Sequence, residues 1–351
     1  MNETNLTPRQ NNILILVNQS GGITRLEVEK KVADRYPASK PTIARDLALL
    51  VERNLIKIAG KGKNTKYLPF IKNPLLRFVD LEEYFALEVD ERNGASTSFD
   101  FSLFEYLQDL YPEEEIKSLD RFNKSFKKET EKLPEDIYRK ELERFVIELS
   151  WKSSRIEGNT YSLLDTETLI KQSIEAKGHP KEEAIMILNH KKAFETILTN
   201  REEFKKITFS QITQLHNILV KGLSIATGLR NEAVGITGTT YRPLGNIWQI
   251  REALEKAIVA INDSSLPLEK VLIAVIFISY IQPFTDGNKR TGRMLGNAIL
   301  IAQDWYPLSY RSVDETVFKQ ALILFYEQHS LLYFKKILSD QYRFAIDTYF
   351  E

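Results

Sequence analysis

The sequence predicts a mainly α chain: a helical core carrying a small β-hairpin flap, preceded by a compact basic head of three helices and a hairpin. Three observations carry this expectation. From about Phe101 onward, apolar residues recur at helical spacing in segment after segment, among them "LERFVIELSWKSSRIEG", "EEAIMILNHKKAFETIL" and "EKVLIAVIFISYI". One stretch, "NEAVGITGTTYRPLG" (Asn231 to Gly245), breaks that period and is rich in β-branched residues and glycine, which suits a flap. Charge is also divided along the chain. Residues 1–72 hold 13 basic and six acidic residues, a net +7, and the other 279 residues carry −7, so that the whole is neutral. A basic head on an acidic body points to two modules with different partners.

In the head, "PRQNNILILVNQSGG" has helical spacing and stops on a glycine pair, and "TRLEVEKKVADRYP" reads as a second helix ending before Pro37. A third helix, "SKPTIARDLALLVERNLI", opens with Ser39 as cap and a proline in its first turn, and turns Ile43, Leu47, Leu50 and Val51 inward. "IKIAGKGKNTKYLPFI" follows as two β-like runs around a Gly/Lys tip. This order resembles a winged helix-turn-helix of the kind found in bacterial regulators. The resemblance implies that Lys40, Thr42, Arg45 and Asp46 face the major groove, with Lys61, Lys63 and Lys66 against phosphates. Such modules also serve as protein-docking units, and the sequence specifies no target site.

The 351 residues give ample length for a sizeable core. The absence of cysteine excludes disulfides and thiolate-bound metals and suits a reducing compartment. The N-terminus lacks the basic and apolar blocks of a signal peptide, and the longest apolar run, Val271 to Ile278, is too short to span a bilayer. A cytoplasmic protein is therefore expected, without membrane contact.

The stretch that carries chemistry is "QPFTDGNKRTGR", Gln282 to Arg293. An apolar helix ends near Ile281, a Pro/Gly turn follows, and a new helix begins at its far side. The free N–H groups at that start, backed by the helix dipole, make an anion site. Gly287 lets backbone approach a phosphate, and Asp286 suits a Mg²⁺ bridging phosphate oxygens. Arg290 and Arg293, three residues apart, share one helix face and suit bidentate phosphate contacts. No Walker loop occurs in the chain.

This arrangement resembles the signature of the Fic family, matched at Pro283, Phe284, Asp286, Gly287, Asn288, Lys289, Arg290 and Arg293. The resemblance implies a Fic helical core and transfer of AMP from ATP to a Ser, Thr or Tyr hydroxyl of a target protein. It implies Mg²⁺ on Asp286, phosphates on Gly287, Asn288, Lys289 and Arg290, the γ-phosphate on Arg293, and Phe284 as the loop's anchor. Lys289 also occurs in relatives that transfer phosphate, and Arg293 favours AMP transfer. Upstream, "SSRIEGN" (Ser153 to Asn159, including Gly158) is similar to the family's inhibitory helix, implying that Glu157 pairs with Arg293. The same residues also read as a plain helix C-terminus with Gly158 as cap and Glu157 solvated. The flap residues Thr237, Gly238, Thr239, Thr240 and Tyr241 are similar to the segment that aligns a target by strand addition.

The expected organisation is a winged helix at 1–72, a connector and helical extension at 73–134, and the Fic domain at 135–351. The inhibitory helix is placed near 140–158 and the signature loop at 282–293. Fic proteins often form homodimers, although no exposed stripe in this sequence marks an interface.

At Gln282 the family has a histidine that takes the target's proton. Glutamine has no titratable lone pair, and losing such a base costs about 10²–10⁴ in rate. His179, His190, His216 and His329 are all expected in helices away from the loop, so none substitutes. Two accounts stand: a transferase whose base has been exchanged, or an inactive nucleotide-sensing, DNA-binding regulator.

Overall fold

A computed structural model describes the chain apart from residues 1–5, 21, 34, 63–64, 71–72, 93 and 350–351, and apart from the Gln19 side chain. It is mainly helical, as the periodicity predicts, and divides into two compact units: residues 1–92 with 330–332, and residues 93–329 with 333–351.

In the first unit the order is α1 (Pro8–Ser20), β1 (Ile23–Thr24), α2 (Arg25–Ala33), α3 (Lys40–Glu52), β2 (Ile56–Ala59) and β3 (Lys66–Pro69), with α4 (Leu81–Phe85) beyond. The strands form one antiparallel sheet ordered β1-β3-β2, with Ile58 opposite Tyr67. Ser39 caps α3 by accepting from the Thr42 N–H, and Pro41 sits in the first turn, where its missing N–H costs nothing. Ile43, Leu47 and Leu50 of α3 join Ile13, Val17, Val28 and Val32 in a small core.

The second unit comprises α5 (Glu113–Thr130), α6 (Glu135–Ile156), α7 (Leu163–Gln172), α8 (Lys181–Thr199), α9 (Phe209–Leu219), α10 (Ile247–Asp263), α11 (Pro267–Ile281), α12 (Asn288–Ala302), α13 (Glu315–Gln328) and α14 (Leu332–Thr348). Every residue of α11 is buried, as a helix apolar all round beyond Glu269 and Lys270 of its first turn requires, and α12 lies tightly against it. Gly292 and Gly296 make that approach fit: a Cβ on Gly292 would come within 3.2 Å of the Val275 backbone, and one on Gly296 within 2.9 Å of a Val271 methyl. Gly296→Val is therefore expected to cost about 1–3 kcal/mol by overpacking, read as a lower urea midpoint. No helix among the described residues is long and apolar enough to cross a membrane.

The flap differs from the expected hairpin. Residues 231–245 turn at Thr237–Gly238 without ladder pairing; their β contact is a single bridge from Arg242 to Ser98. The reason is Arg230. Its buried guanidinium donates to the carbonyls of Glu232, Leu244 (2.6 Å), Ile281 (3.3 Å) and Gln282, satisfying both ends of the flap and the end of α11 at once. At the start of the stretch read as helical from about Phe101, "LFEYLQDLY" is instead covered by a 3-10 turn over Phe101–Tyr106 followed by irregular chain.

Candidate active site

The site is built where α11 stops and α12 starts. Gln282 ends α11 in the left-handed conformation (φ 50°), its N–H closing on the Ile278 carbonyl, and Gly287 (φ 81°) opens α12 in the same region. Between them the loop is cross-braced by Asn288, which is 3% exposed. Its Oδ1 accepts from the Phe284 N–H at 2.9 Å, while its Nδ2 donates to the Phe284 carbonyl and to Gln282 Oε1, both at 2.8 Å. The Asn288 side chain, expected on a phosphate, is thus spent on the loop. Phe284 is fully buried and anchors the turn.

Gln282 is held at both ends. Its Nε2 donates to the Ser279 carbonyl at 2.7 Å and its Oε1 accepts from Asn288 Nδ2 at 2.8 Å. The amide is fixed and buried, yet offers no group that can accept and keep a proton.

His216 of α9 lies against this loop, contrary to the expectation that all the histidines stand apart. Its ring stacks on Phe284 (centroids 3.7 Å, planes 10° apart), and its Nε2 donates to the Asp286 carbonyl at 2.9 Å. Burial pushes its pKa down, which keeps the ring neutral. His190 is completely buried under α6, with Nδ1 donating to the Met186 carbonyl at 2.8 Å, and burial pushes it down to about 3. His179 meets Thr160 and Glu183, and His329 caps α13 with its ring 3.4 Å from the Tyr280 hydroxyl; neither reaches the loop.

The charged groups converge on the first turns of α12. The side chain of Asp286 is 67% exposed at the mouth. Its Oδ1 accepts from the Gly287 N–H and its Oδ2 lies 3.4 Å from Arg290, and a carboxylate so exposed could hold a Mg²⁺ that takes its other ligands from phosphate and water. Arg290 is buried; its acceptors are distant, Asp286 Oδ2 at 3.4 Å and the Leu219 carbonyl at 3.5 Å. A desolvated guanidinium with such loose contacts favours an incoming anion.

Arg293, 1% exposed, is fully engaged. Its Nε donates to Ser153 Oγ at 3.0 Å, Nη2 to the Ser153 carbonyl at 2.8 Å, and Nη1 to Glu157 Oε1 at 2.8 Å. Glu157 caps the end of α6, followed by Gly158 at φ 99°. So the residues do form a glycine-capped helix end, but Glu157 is paired rather than solvated. Burial opposes its charge, and Arg293 and Lys289 overcome that penalty and hold its pKa down to about 2.

Thr237 at the flap tip is exposed; Thr239 and Thr240 are half-buried. Tyr241 corrects the sequence reading: it is 1% exposed, stacks on Tyr280 and donates its hydroxyl to the Tyr280 carbonyl at 2.8 Å. It is a core residue and not a target contact. The sequence does not point to Arg230, because a lone arginine in a loop carries no periodic signal; only the carbonyls gathered around it reveal its part.

In the first unit, Lys40, Arg45, Lys61 and Lys66 are exposed, and Thr42 is half-buried with its hydroxyl 2.9 Å from Ser39. Lys63 lies outside the described residues. Asp46 is a second correction. Instead of facing outward it is 5% exposed and accepts from Arg9 at 2.6 Å and Gln10 at 2.8 Å, tying α1 to α3.

A helix–turn–helix with two signature arginines, and an upstream helix whose glutamate meets the second of them, defines the class of site. Residues 206–300 match the Fic/DOC family model. Two proteins named protein adenylyltransferase Fic are similar in sequence. That of Nematostella vectensis is 28% identical over 173 residues, 47% of this chain and 39% of the relative. That of Drosophila ananassae is 26% identical over 156 residues, 44% and 31%. The chain thus spans less than half the length of either relative. Among solved structures, a fragment of Fic-1 from C. elegans superposes with TM-score 0.56 at 20% identity, over 67% of this chain and 70% of that one. A Fic domain containing signaling protein from Bacteroides thetaiotaomicron gives TM-score 0.55 at 20% identity, over 66% and 96%. These likenesses give the helical part of the chain a Fic fold.

Proposed function

We propose that this chain is a Fic-type protein adenylyltransferase, transferring AMP from ATP to a Ser, Thr or Tyr hydroxyl of a target protein, restrained by Glu157 and silenced by Gln282. The observation that carries this reading is the buried Arg293–Glu157 contact at 2.8 Å, since an inhibitory glutamate implies an activity to restrain. In this reading the N-terminal backbone of α12 and Arg290 receive the phosphates, and Asp286 would hold the Mg²⁺ that neutralises them. Asn288 and His216 keep the loop in shape. Arg293 orients the γ-phosphate once Glu157 releases it, and the flap around Thr237–Thr240 aligns the target. The histidine that would take the hydroxyl proton is replaced by Gln282.

The test follows α-labelled ATP, with Mg²⁺, onto the chain itself and onto lysate proteins. Four chains are compared: the present one, Gln282→His, Glu157→Gly and the double variant. Label that appears only with histidine, and rises when Glu157 is also removed, supports the reading. A dark double variant that still binds ATP overturns it.

A second reading concerns the first unit, where helix, strand, two helices and two strands follow in winged-helix order and Lys40, Arg45 and Lys61 are exposed. In this reading the unit binds duplex DNA. Binding is then expected to weaken steeply with salt, and Lys40→Gln with Arg45→Gln to reduce the log–log salt slope by about 2 in a fluorescence titration. An unchanged slope removes α3 from the interface. If ATP modulates DNA binding while the histidine variants transfer nothing, the nucleotide-sensing regulator becomes the better account.

A further inference from the structure

Arg293 does not grip Glu157 with its fork. Two of its three nitrogens are spent on Ser153, Nε on the hydroxyl and Nη2 on the carbonyl, so only Nη1 reaches the carboxylate, at Oε1. Bidentate pairing, which makes arginine–carboxylate contacts strong and directional, is therefore absent here. The other oxygen, Oε2, is met by Lys289 Nζ at 3.2 Å. Lys289 stands in the first turn of α12, where the helix dipole disfavours a cation and the buried Arg290 adds like charge. A lysine so placed gains from an anion that meets it from outside the helix, and in this structure that anion is Glu157.

We propose that Lys289 is a second clamp on Glu157: the closed state is a three-membered ion cluster in which Arg293 and Lys289 each hold one carboxylate oxygen. This assignment rests on the inhibitory reading of Glu157 and gives Lys289 a part in restraint beyond its expected phosphate contact. Opening then requires both contacts to be given up. Lys289, 29% exposed, is the one that solvent and an arriving triphosphate reach first, whereas Arg293 is buried. The two roles of the lysine have opposite signs. As a phosphate ligand its loss slows transfer; as a clamp its loss releases Glu157 and speeds transfer.

Hydrogen exchange on the full chain tests the clamp without relying on catalysis. The amides of Glu157, Gly158 and Asn159 bond back to the Ser154 and Arg155 carbonyls and report the last turn of α6. Lys289→Met is expected to lower their protection about three- to tenfold, in the lower part of the range of direct pairwise couplings because the lysine is partly exposed. Lys289→Arg should preserve it, and amides within α8 should not change. Unchanged protection, or a loss shared equally by α8, overturns the clamp.

Transfer by the Gln282→His chain separates this from the reading beneath it. Lys289→Met should raise the rate severalfold with Glu157 present and not after Glu157→Gly. A rate lowered equally in both backgrounds makes Lys289 a nucleotide ligand only and overturns the proposal. If Glu157→Gly itself fails to raise transfer, the inhibitory reading falls, while the exchange result still decides whether the lysine holds the helix end.

Discussion

Gln282→His is expected to raise AMP transfer by about 10²–10⁴-fold, because it restores a group that can hold the target's proton at neutral pH. The surroundings favour a clean gain. Gln282 occupies a fixed, buried position at the end of α11, its side chain oriented by the Ser279 carbonyl and Asn288, and its own carbonyl held by Arg230. Loop shape is set by buried Phe284, its stack on His216 and the two Asn288 bonds to the Phe284 backbone; only the third Asn288 bond, to Gln282 Oε1, depends on residue 282. The exchange therefore changes proton chemistry more than geometry. Initial rates with α-labelled ATP, in the presence and absence of Glu157, measure it. A rate that does not move, in a chain that still binds ATP, would mean that some further element of the catalytic site is missing.

How far the sequence revealed this site depends on the range of each interaction. The helix–turn–helix around Gly287 was legible, because a buried apolar helix, a Pro/Gly turn and a new helix start are local signals that lie within a dozen residues. The Glu157–Arg293 contact spans 136 positions and was reached only through a family resemblance. Its companion Lys289–Glu157 was not foreseen, since which oxygen meets which cation is set by how Ser153 occupies the arginine. The errors share a cause. Residue type suggests outward roles for Tyr241 and Asp46, yet both are buried on partners far along the chain, Tyr280 and the half-buried Arg9. Composition suggested a β flap at 231–245, but a single arginine took up the carbonyls that a ladder would have used.

Glu157→Gly is expected to cost about 3 kcal/mol of stability without nucleotide, the lower end for breaking a buried ion pair, because solvent still reaches Glu157 and Lys289. The penalty falls mainly on Arg293. At 1% exposure it would keep the neutral Ser153 oxygens and the face of Phe318, and no anion. A triphosphate supplies the missing anion, so ATP with Mg²⁺ should raise the melting temperature of the variant more than that of the parent, by mass action on the folded state. The pH dependence has a definite sign. Glu157 has its pKa lowered in the folded chain from 4.5 to about 2, so its contribution is complete above pH 4.5 and is lost as pH falls towards 2. The stability gap between parent and variant, measured by urea unfolding, should be constant from pH 7 to 5 and shrink below 4.5. A gap that stays flat into acid would show that the carboxylate's charge does not stabilise the closed helix end. The release of Arg293, and with it the restraint on transfer, would then need another cause.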